Sequence, residues 1–153
     1  MRAIIQRVSE ASVSVGEDIV GTCGKGFVIL LGVGQGDTEV EAEQLWSKIY
    51  KMRIFPDGEK HTGASLVDVG GGVLIVSQFT LYADCRKGNR PSFSKAGDPA
   101  ESERLYELFV ELARRDIEDV AHGEFGADMS VSLVNDGPFT VYLDTDDLKR
   151  PRR

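Results

Sequence analysis

The residues that invite chemistry gather in two short stretches. Ser77-Gln78-Phe79-Thr80 follows the apolar run Val73-Leu74-Ile75-Val76, and Asn135-Asp136-Gly137-Pro138-Phe139-Thr140 lies between two alternating apolar runs. Thr80 is the obvious hydroxyl nucleophile, which would make the protein a general esterase, yet a hydroxyl needs a nearby base to attack well. Asp84 and Asp136 lie beside the two stretches and read as turn and loop formers. His61 and His122 are the only histidines, both in loop-like sequence, and their separation fits no metal pair on a helix. There is no G-x-S-x-G elbow for a serine hydrolase. Cys23 and Cys85 form neither a C-x-x-C nor a zinc pattern, so no metal and no cofactor is expected. Ser77 and Thr80 suit local hydrogen bonding equally well, and Gln78 suits a strand end where its amide satisfies backbone groups.

Two further stretches carry weaker signals. Gly32-Val33-Gly34-Gln35-Gly36 follows an apolar run and precedes a helical pattern, as a dinucleotide-binding turn would. Its spacing is G-x-G-x-G, however, and Asp37 stands where the third glycine belongs, so a plain strand-to-helix connection explains it too. Arg86, Lys87, Arg90 and Lys95 form a basic cluster, and Lys149-Arg150-Pro151-Arg152-Arg153 forms a basic end. Against these stands a formal net charge of −7, which excludes a protein that coats nucleic acid by bulk electrostatics. An acidic body with a basic loop suits contact with one end of an RNA.

The elements that must hold these residues follow from periodicity. Residues 2–15 read as a strand or a bent pair of strands, with Ala11, Val13 and Val15 alternating with Ser12 and Ser14. Gly16-Glu17-Asp18 turns into a short partner strand at Ile19-Val20. Phe27–Val33 is apolar on both faces, as a central strand is. Thr38-Glu39-Val40-Glu41 is a capping box, and Ala42, Leu45, Trp46, Ile49 and Met52 follow at helical spacing. Pro56-Asp57-Gly58 reads as a turn and residues 58–72 as a loop or a short irregular strand. Val73–Phe79 reads as a second core strand, and 83–97 as a loop. Asp98-Pro99-Ala100-Glu101 opens a helix with an N-cap and proline at the first turn, and Leu105, Leu108, Phe109 and Leu112 give it a buried stripe. Met129, Val131 and Leu133, then Phe139, Val141 and Leu143, predict two strands meeting at a Gly137-Pro138 corner. Proline has no N–H for a ladder, and glycine before it leaves room for the ring or for a docking group.

The order strands, helix, strand, helix, strands predicts an α/β fold, a single domain of mixed sheet. Strand–helix–strand units would pair in parallel, hairpins at both ends would add antiparallel edges, and the helices would pack on the sheet. At 153 residues one such domain buries enough surface to stand without disulfides. Two cysteines and an N-terminus broken by Arg2, Gln6 and Arg7 fit reduced thiols and a cytoplasmic location, with no signal segment and no membrane span.

Both chemical stretches together, in this order and spacing, resemble the D-aminoacyl-tRNA deacylase family. The resemblance extends over nearly the whole chain. It takes in Met1-Arg2-Ala3-Ile4-Ile5-Gln6-Arg7-Val8, Leu31-Gly32-Val33, Arg53-Ile54-Phe55, Arg86-Lys87-Gly88-Asn89-Arg90-Pro91-Ser92-Phe93 and Phe125-Gly126-Ala127-Asp128-Met129. It departs near His61-Thr62-Gly63-Ala64-Ser65, so no role is carried onto those positions. The resemblance implies a deacylase-like domain over residues 1–145 and a basic tail, 146–153, that is expected to be disordered. It implies a homodimer and an aminoacyl-tRNA 3′ end as substrate, with Ser77, Gln78, Phe79 and Thr80 forming the catalytic pocket. A Gly137–Pro138 corner with a cis bond would enter the partner's pocket as a chirality filter, with Met129 and Phe139 in support. Arg86, Lys87, Arg90 and Lys95 would contact the RNA. The chemistry implied is hydrolysis of the ester that joins a D-amino acid to the terminal ribose, with glycyl-tRNA also accepted. Backbone N–H groups at Phe79 and Thr80 would serve the developing oxyanion, and the substrate's own 2′-hydroxyl would assist.

Overall fold

The N-terminal alternation runs on as one long strand, β1 (Arg2–Val15), and the rest of the sheet is built on it. In the computed structural model, which describes residues 1–152, one edge of β1 is shared by two strands. β3 (Gly26–Gly32) pairs antiparallel with residues 2–8 and β2 (Asp18–Cys23) with residues 11–15. The other edge pairs antiparallel with β8 (Met129–Asp144). Beyond β3 lie β6 (Gly72–Ser77) and β7 (Val120–His122), both parallel, giving the order β2-β1-β3-β6-β7 with β8 outside β1.

The two parallel steps are the expected strand–helix–strand units. α1 (Glu39–Lys51) lies between β3 and β6, and α2 (Pro99–Asp116) between β6 and β7. Thr38 caps α1 as read from the sequence: its hydroxyl accepts from Val40 N–H while Glu41 Oε2 accepts from Thr38 N–H at 2.7 Å. Asp98 caps α2, accepting from Glu101 N–H at 3.3 Å. Leu45, Trp46 and Ile49 of α1 and Leu105 and Phe109 of α2 cover Phe27, Ile29, Leu31, Val73 and Ile75 of the sheet. Trp46 is core: its ring meets Phe109 edge-on at 5.7 Å, and its N–H donates to Asp116 at 2.9 Å. Val28, Leu74 and Val76 point the other way, into a second cluster with Val8 and Val13. Burial on both faces explains the unbroken apolar runs of β3 and β6.

Four expectations change. The corner does not join two strands that fold back. β8 is a single strand of 16 residues, and both halves pair with β1. Val8 faces Asn135 and Gln6 faces Thr140, so Arg7 alone stands opposite Asp136–Phe139, and the corner is a wide bulge. The C-terminal antiparallel edge therefore pairs with the N-terminal strand and not within its own half. Second, the strand read as Val73–Phe79 stops at Ser77, and Phe79–Tyr82 form one turn of 3-10 helix. Third, Pro56 and Asp57 are not in the turn. They belong to β4 (Phe55–Asp57), which pairs with β5 (Lys60–Ala64) in a separate small hairpin turning at Gly58-Glu59. Fourth, the tail is not disordered from Asp146. Thr145–Leu148 form a short helix, α3, capped by Asp144, and Lys149 pairs with Glu41 at 2.5 Å. The buried Thr145 decides this: its N–H donates to Met1 C=O at 2.9 Å and its hydroxyl takes the Met1 amine at 2.6 Å. The last residue of the expected tail, Arg153, lies outside the described residues.

Candidate functional site

Ser77 closes β6, half-buried, opposite Leu31 of β3. Gln78 N–H makes one more sheet-like bond, to Leu31 C=O at 2.8 Å, and then the chain turns into the 3-10 helix. As the first two N–H groups of that helix, those of Phe79 and Thr80 have no acceptor within it. The Thr80 hydroxyl is exposed and accepts a hydrogen bond from the Gln78 side-chain amide. An amide N–H cannot take a proton, so this contact does not activate the hydroxyl. Neither histidine is hydrogen-bonded to Thr80: His122 Nδ1 lies 2.6 Å from Gly123 C=O, and His61 sits exposed on β5. Among the described residues no group of three or more His, Cys, Asp or Glu side chains is placed to hold a metal ion.

The Phe79 side chain is 55% exposed and packs edge-on against Phe93 at 5.1 Å. Phe93 belongs to the basic loop, so the loop stands beside Ser77–Thr80. Its base is tied by reciprocal backbone bonds between Asp84 and Ser92, at 2.8 and 2.9 Å. Arg86 grips Asp84 with a fork, at 2.8 Å from Nε and 2.6 Å from Nη2, and Lys95 lies 3.8 Å from the same carboxylate. Arg86 holds the Asp84 carboxyl well below the usual carboxylate range. Among the described residues Lys87 and Arg90 are paired with no acid.

The corner is elsewhere. The Gly137–Pro138 peptide is cis, and both residues are exposed. Arg7 sits level with Phe27 and so with Val73, four residues before Ser77 and three strands from β8. At about 3.3 Å per residue and about 4.8 Å per strand, the corner is about 20 Å along the sheet from Ser77. One chain therefore does not bring Gly137–Pro138 to Ser77–Thr80. Met129 is closer to the β6 end: a Cβ on Gly123 would lie 2.5 Å from its sulfur, and Gly123 N–H bonds Ile75 C=O at 3.0 Å. Phe139 packs on the main core below the corner.

Arg7 was not among the residues singled out from the sequence. It is 5% exposed, and its guanidinium donates to Asp136 C=O at 3.0 Å, Gly137 C=O at 3.3 Å and Ile54 C=O at 2.5 Å. Its Cζ lies 4.6 Å from the centre of the Phe139 ring. Asn135 completes the frame, its amide donating to Arg7 C=O at 2.9 Å and Phe139 C=O at 3.2 Å. The one available signal was an arginine in a strand that alternates apolar residues, which requires buried partners.

The glycine-rich turn does not present an open anion cradle. Asp37 fills it: Oδ2 accepts from Gly34 N–H at 2.7 Å, and Oδ1 lies 2.9 Å from the Met1 amine. The cavity beside it, about 480 Å³, is lined by Asp37, Asp98 and Glu101, charges that repel a phosphate.

Comparison with known proteins bears on the whole chain. The family model described as D-Tyr-tRNA(Tyr) deacylase matches residues 4–144. A D-aminoacyl-tRNA deacylase of Dehalococcoides mccartyi is 53% identical over 153 residues, covering 100% of both chains. One of Roseiflexus castenholzii is 55% identical, covering 99% of this chain and 97% of its own. A solved structure of a protein named c-Myc DNA unwinding element binding protein superposes with a TM-score of 0.89 at 40% identity, covering 94% of this chain and 98% of that one. Another, of a probable eukaryotic D-amino acid tRNA deacylase, shares the fold at a TM-score of 0.82 and 17% identity, covering 93% and 97%.

Proposed function

The chain belongs to the D-Tyr-tRNA(Tyr) deacylase family, and from that premise we propose that it is an editing hydrolase that cleaves the ester of D-aminoacyl-tRNA to free amino acid and tRNA. The observation that carries this is the family match over residues 4–144, continuous with both chemical stretches. The site's make-up supports it. The ester is already activated, so the protein has to supply placement, a water and oxyanion donors, not a nucleophile. Thr80, whose hydroxyl accepts from an amide, is not that nucleophile. The Phe79 and Thr80 N–H groups face the carbonyl oxygen, and the substrate's 2′-hydroxyl assists, which also distinguishes RNA from DNA ends.

The working unit is a homodimer, with the deacylase-like domain spanning residues 1–145. The distance of about 20 Å within one chain supports this, because a corner that serves the pocket must come from a second copy. So does β8, a long edge strand with its outer side unpaired and Val134 and Tyr142 exposed on it. In the dimer Gly137 and Pro138 of one protomer face Ser77–Thr80 of its partner. There the backbone leaves no volume for an L side chain, and Met129 and Phe139 support the pocket. Glycine has no side chain to exclude, so glycyl-tRNA is accepted. Lys87 and Arg90 contact the RNA, with Arg86 and Lys95 behind them. The protein works in the cytoplasm; among the described residues no helix is long and apolar enough to cross a membrane.

The test is deacylation of D- and L-tyrosyl-tRNA, glycyl-tRNA and a simple aryl ester. D-Tyrosyl- and glycyl-tRNA should be cleaved and L-tyrosyl-tRNA spared; equal rates for D and L defeat the filter, and aryl-ester turnover abolished by Thr80→Ala favours the esterase. The 40%-identical structure, a DNA unwinding element binding protein by name, keeps one other function in view: binding of nucleic acid without chemistry. Tight binding of duplex DNA with no deacylation would establish it, though a net charge of −7 counts against it.

A further inference from the structure

In the Gly32-Val33-Gly34 stretch the Gly34 N–H is already taken by Asp37, and both glycines are needed for space. A Cβ on Gly34 would lie 2.6 Å from two carbons of the Tyr82 ring and 2.7 Å from its oxygen. A Cβ on Gly32 would lie 3.0 Å from Gln78 C=O, 3.1 Å from Leu81 Cβ and 3.3 Å from the same ring. The ring is thus seated directly on the backbone at the end of β3 and just beyond it, 9% exposed. Arg2 closes the seat from above, with Cζ 4.3 Å from the ring centre. Its Nη1 donates to Leu81 C=O at 2.9 Å and its Nε to Asp144 Oδ2 at 3.0 Å. At the far end the Tyr82 hydroxyl donates to Asp37 Oδ2 at 3.5 Å. Burial and the Asp37 charge hold that phenol protonated far above its ordinary range.

Tyr82 is the last residue of the one-turn helix that begins at Phe79. Such a turn is short and leaves its first N–H groups free, so it does not hold its own position well. We propose that the glycine-lined seat of Tyr82, closed by Arg2 and Asp37, is the positioning device that aims the Phe79 and Thr80 N–H groups, and that this is what the Gly32–Gly34 stretch is for. The inference rests on the proposed deacylase function for its consequence but on contacts alone for its geometry. Tyr82, Arg2 and Gly34 touch no substrate. They act through the helix, and a misplacement of about 1 Å at such donors is enough to cost about a hundredfold in rate.

The experiment combines two readouts on Gly34→Ala, Tyr82→Leu and Tyr82→Phe. The first is kcat and KM on D-tyrosyl-tRNA, corrected for the folded fraction by circular dichroism. The second is amide hydrogen exchange at Gln78, Leu81 and Ala83, whose N–H groups bond Leu31, Gln78 and Thr80 C=O. Gly34→Ala and Tyr82→Leu should lose about tenfold or more in kcat with KM changed less than about threefold, and exchange at the three amides should quicken. Tyr82→Phe, which keeps the ring, should recover most of the rate that Tyr82→Leu loses. Should Gly34→Ala fail to fold, Tyr82→Leu, which inserts no atom, carries the same expectation. Folded Tyr82→Leu with wild-type kcat and wild-type exchange overturns the proposal, and so does a rate loss no larger than the loss of folded protein. A wild-type protein inactive on every D-aminoacyl-tRNA would refute the function instead, and the exchange measurement would still decide the seat.

Discussion

Replacing Arg7 should loosen the Gly137–Pro138 corner and unfold little else. Arg7 is buried and spends three donors on three backbone carbonyls of two segments, Ile54 and Asp136-Gly137. The bond to Ile54 is buried; a charged hydrogen bond of that kind contributes about 1.5–3 kcal/mol. The other two carbonyls belong to exposed residues that water can re-solvate, so they contribute at the low end, about 0.5–1 kcal/mol each. Stacking over Phe139 adds about 1 kcal/mol. The ion pair to Asp136 at 3.1 Å is left out, because that carboxylate is 47% exposed and screened. Arg7→Met should therefore cost about 4 kcal/mol. Arg7→Lys keeps the charge but offers a point donor where a fork served three acceptors, and should cost about half as much. At about 2–4 °C per kcal/mol for a chain of this size, Arg7→Lys lowers Tm by about 4–8 °C and stays folded. A corner freed from its guanidinium would no longer give the proposed chirality filter a fixed wall. The ratio of D- to L-tyrosyl-tRNA hydrolysis should then fall by about tenfold, an energy of about 1.4 kcal/mol. The assay is paired deacylation of the two substrates beside a thermal melt. An Arg7→Lys protein with an unshifted Tm and the wild-type D-to-L ratio refutes the reasoning.

Thr80→Ala should retain substantial D-aminoacyl-tRNA hydrolysis, while a substrate whose terminal 2′-hydroxyl is replaced by hydrogen should lose far more; a stable acyl adduct on Thr80 in a mass spectrum reverses this. Neutralising Lys87 and Arg90 should lower the salt dependence of tRNA binding by about one unit each. Arg86→Ala should lower it less, because Asp84 already holds that guanidinium; a slope unchanged after all four basic residues are neutralised moves the RNA path elsewhere. The Lys149 ammonium, aided by Thr38, pushes the Glu41 carboxyl down to about 2 from 4.5. The fold thus favours the carboxylate, and its contribution is complete above about pH 4.5 and lost as pH falls toward 2. Lys149→Ala should reduce that acid-side loss in a pH series of melts, and a series parallel to wild type would exclude the contact. Thr38→Ala should cost about 1 kcal/mol at neutral pH by removing the cap, read as a Tm shift of about 2–4 °C.

Local rules carried the elements. The capping box at Thr38 to Glu41, proline in the first turn after Asp98, and the helical spacing of Leu45, Trp46 and Ile49 each depend on residues within a few positions of one another, so a linear reading finds them. The unbroken apolar runs of β3 and β6 announced burial on both faces for the same reason. The chemical stretches were legible as motifs, because each is a run of adjacent residues. What the sequence did not determine depends on which distant segment lies opposite. Met129–Leu133 and Phe139–Leu143 look like two strands around a turn, and only pairing with β1 on both sides makes them one strand with Arg7 opposite the bulge. Asp146 onward looks like a loose end until Thr145 meets Met1 and Lys149 meets Glu41, contacts spanning more than a hundred residues. The glycines at 32 and 34 look like a phosphate turn because spacing alone cannot say what fills the space they leave. Tertiary packing puts the ring of Tyr82 there, and the Asp37 carboxylate on the Gly34 N–H that an anion would have taken.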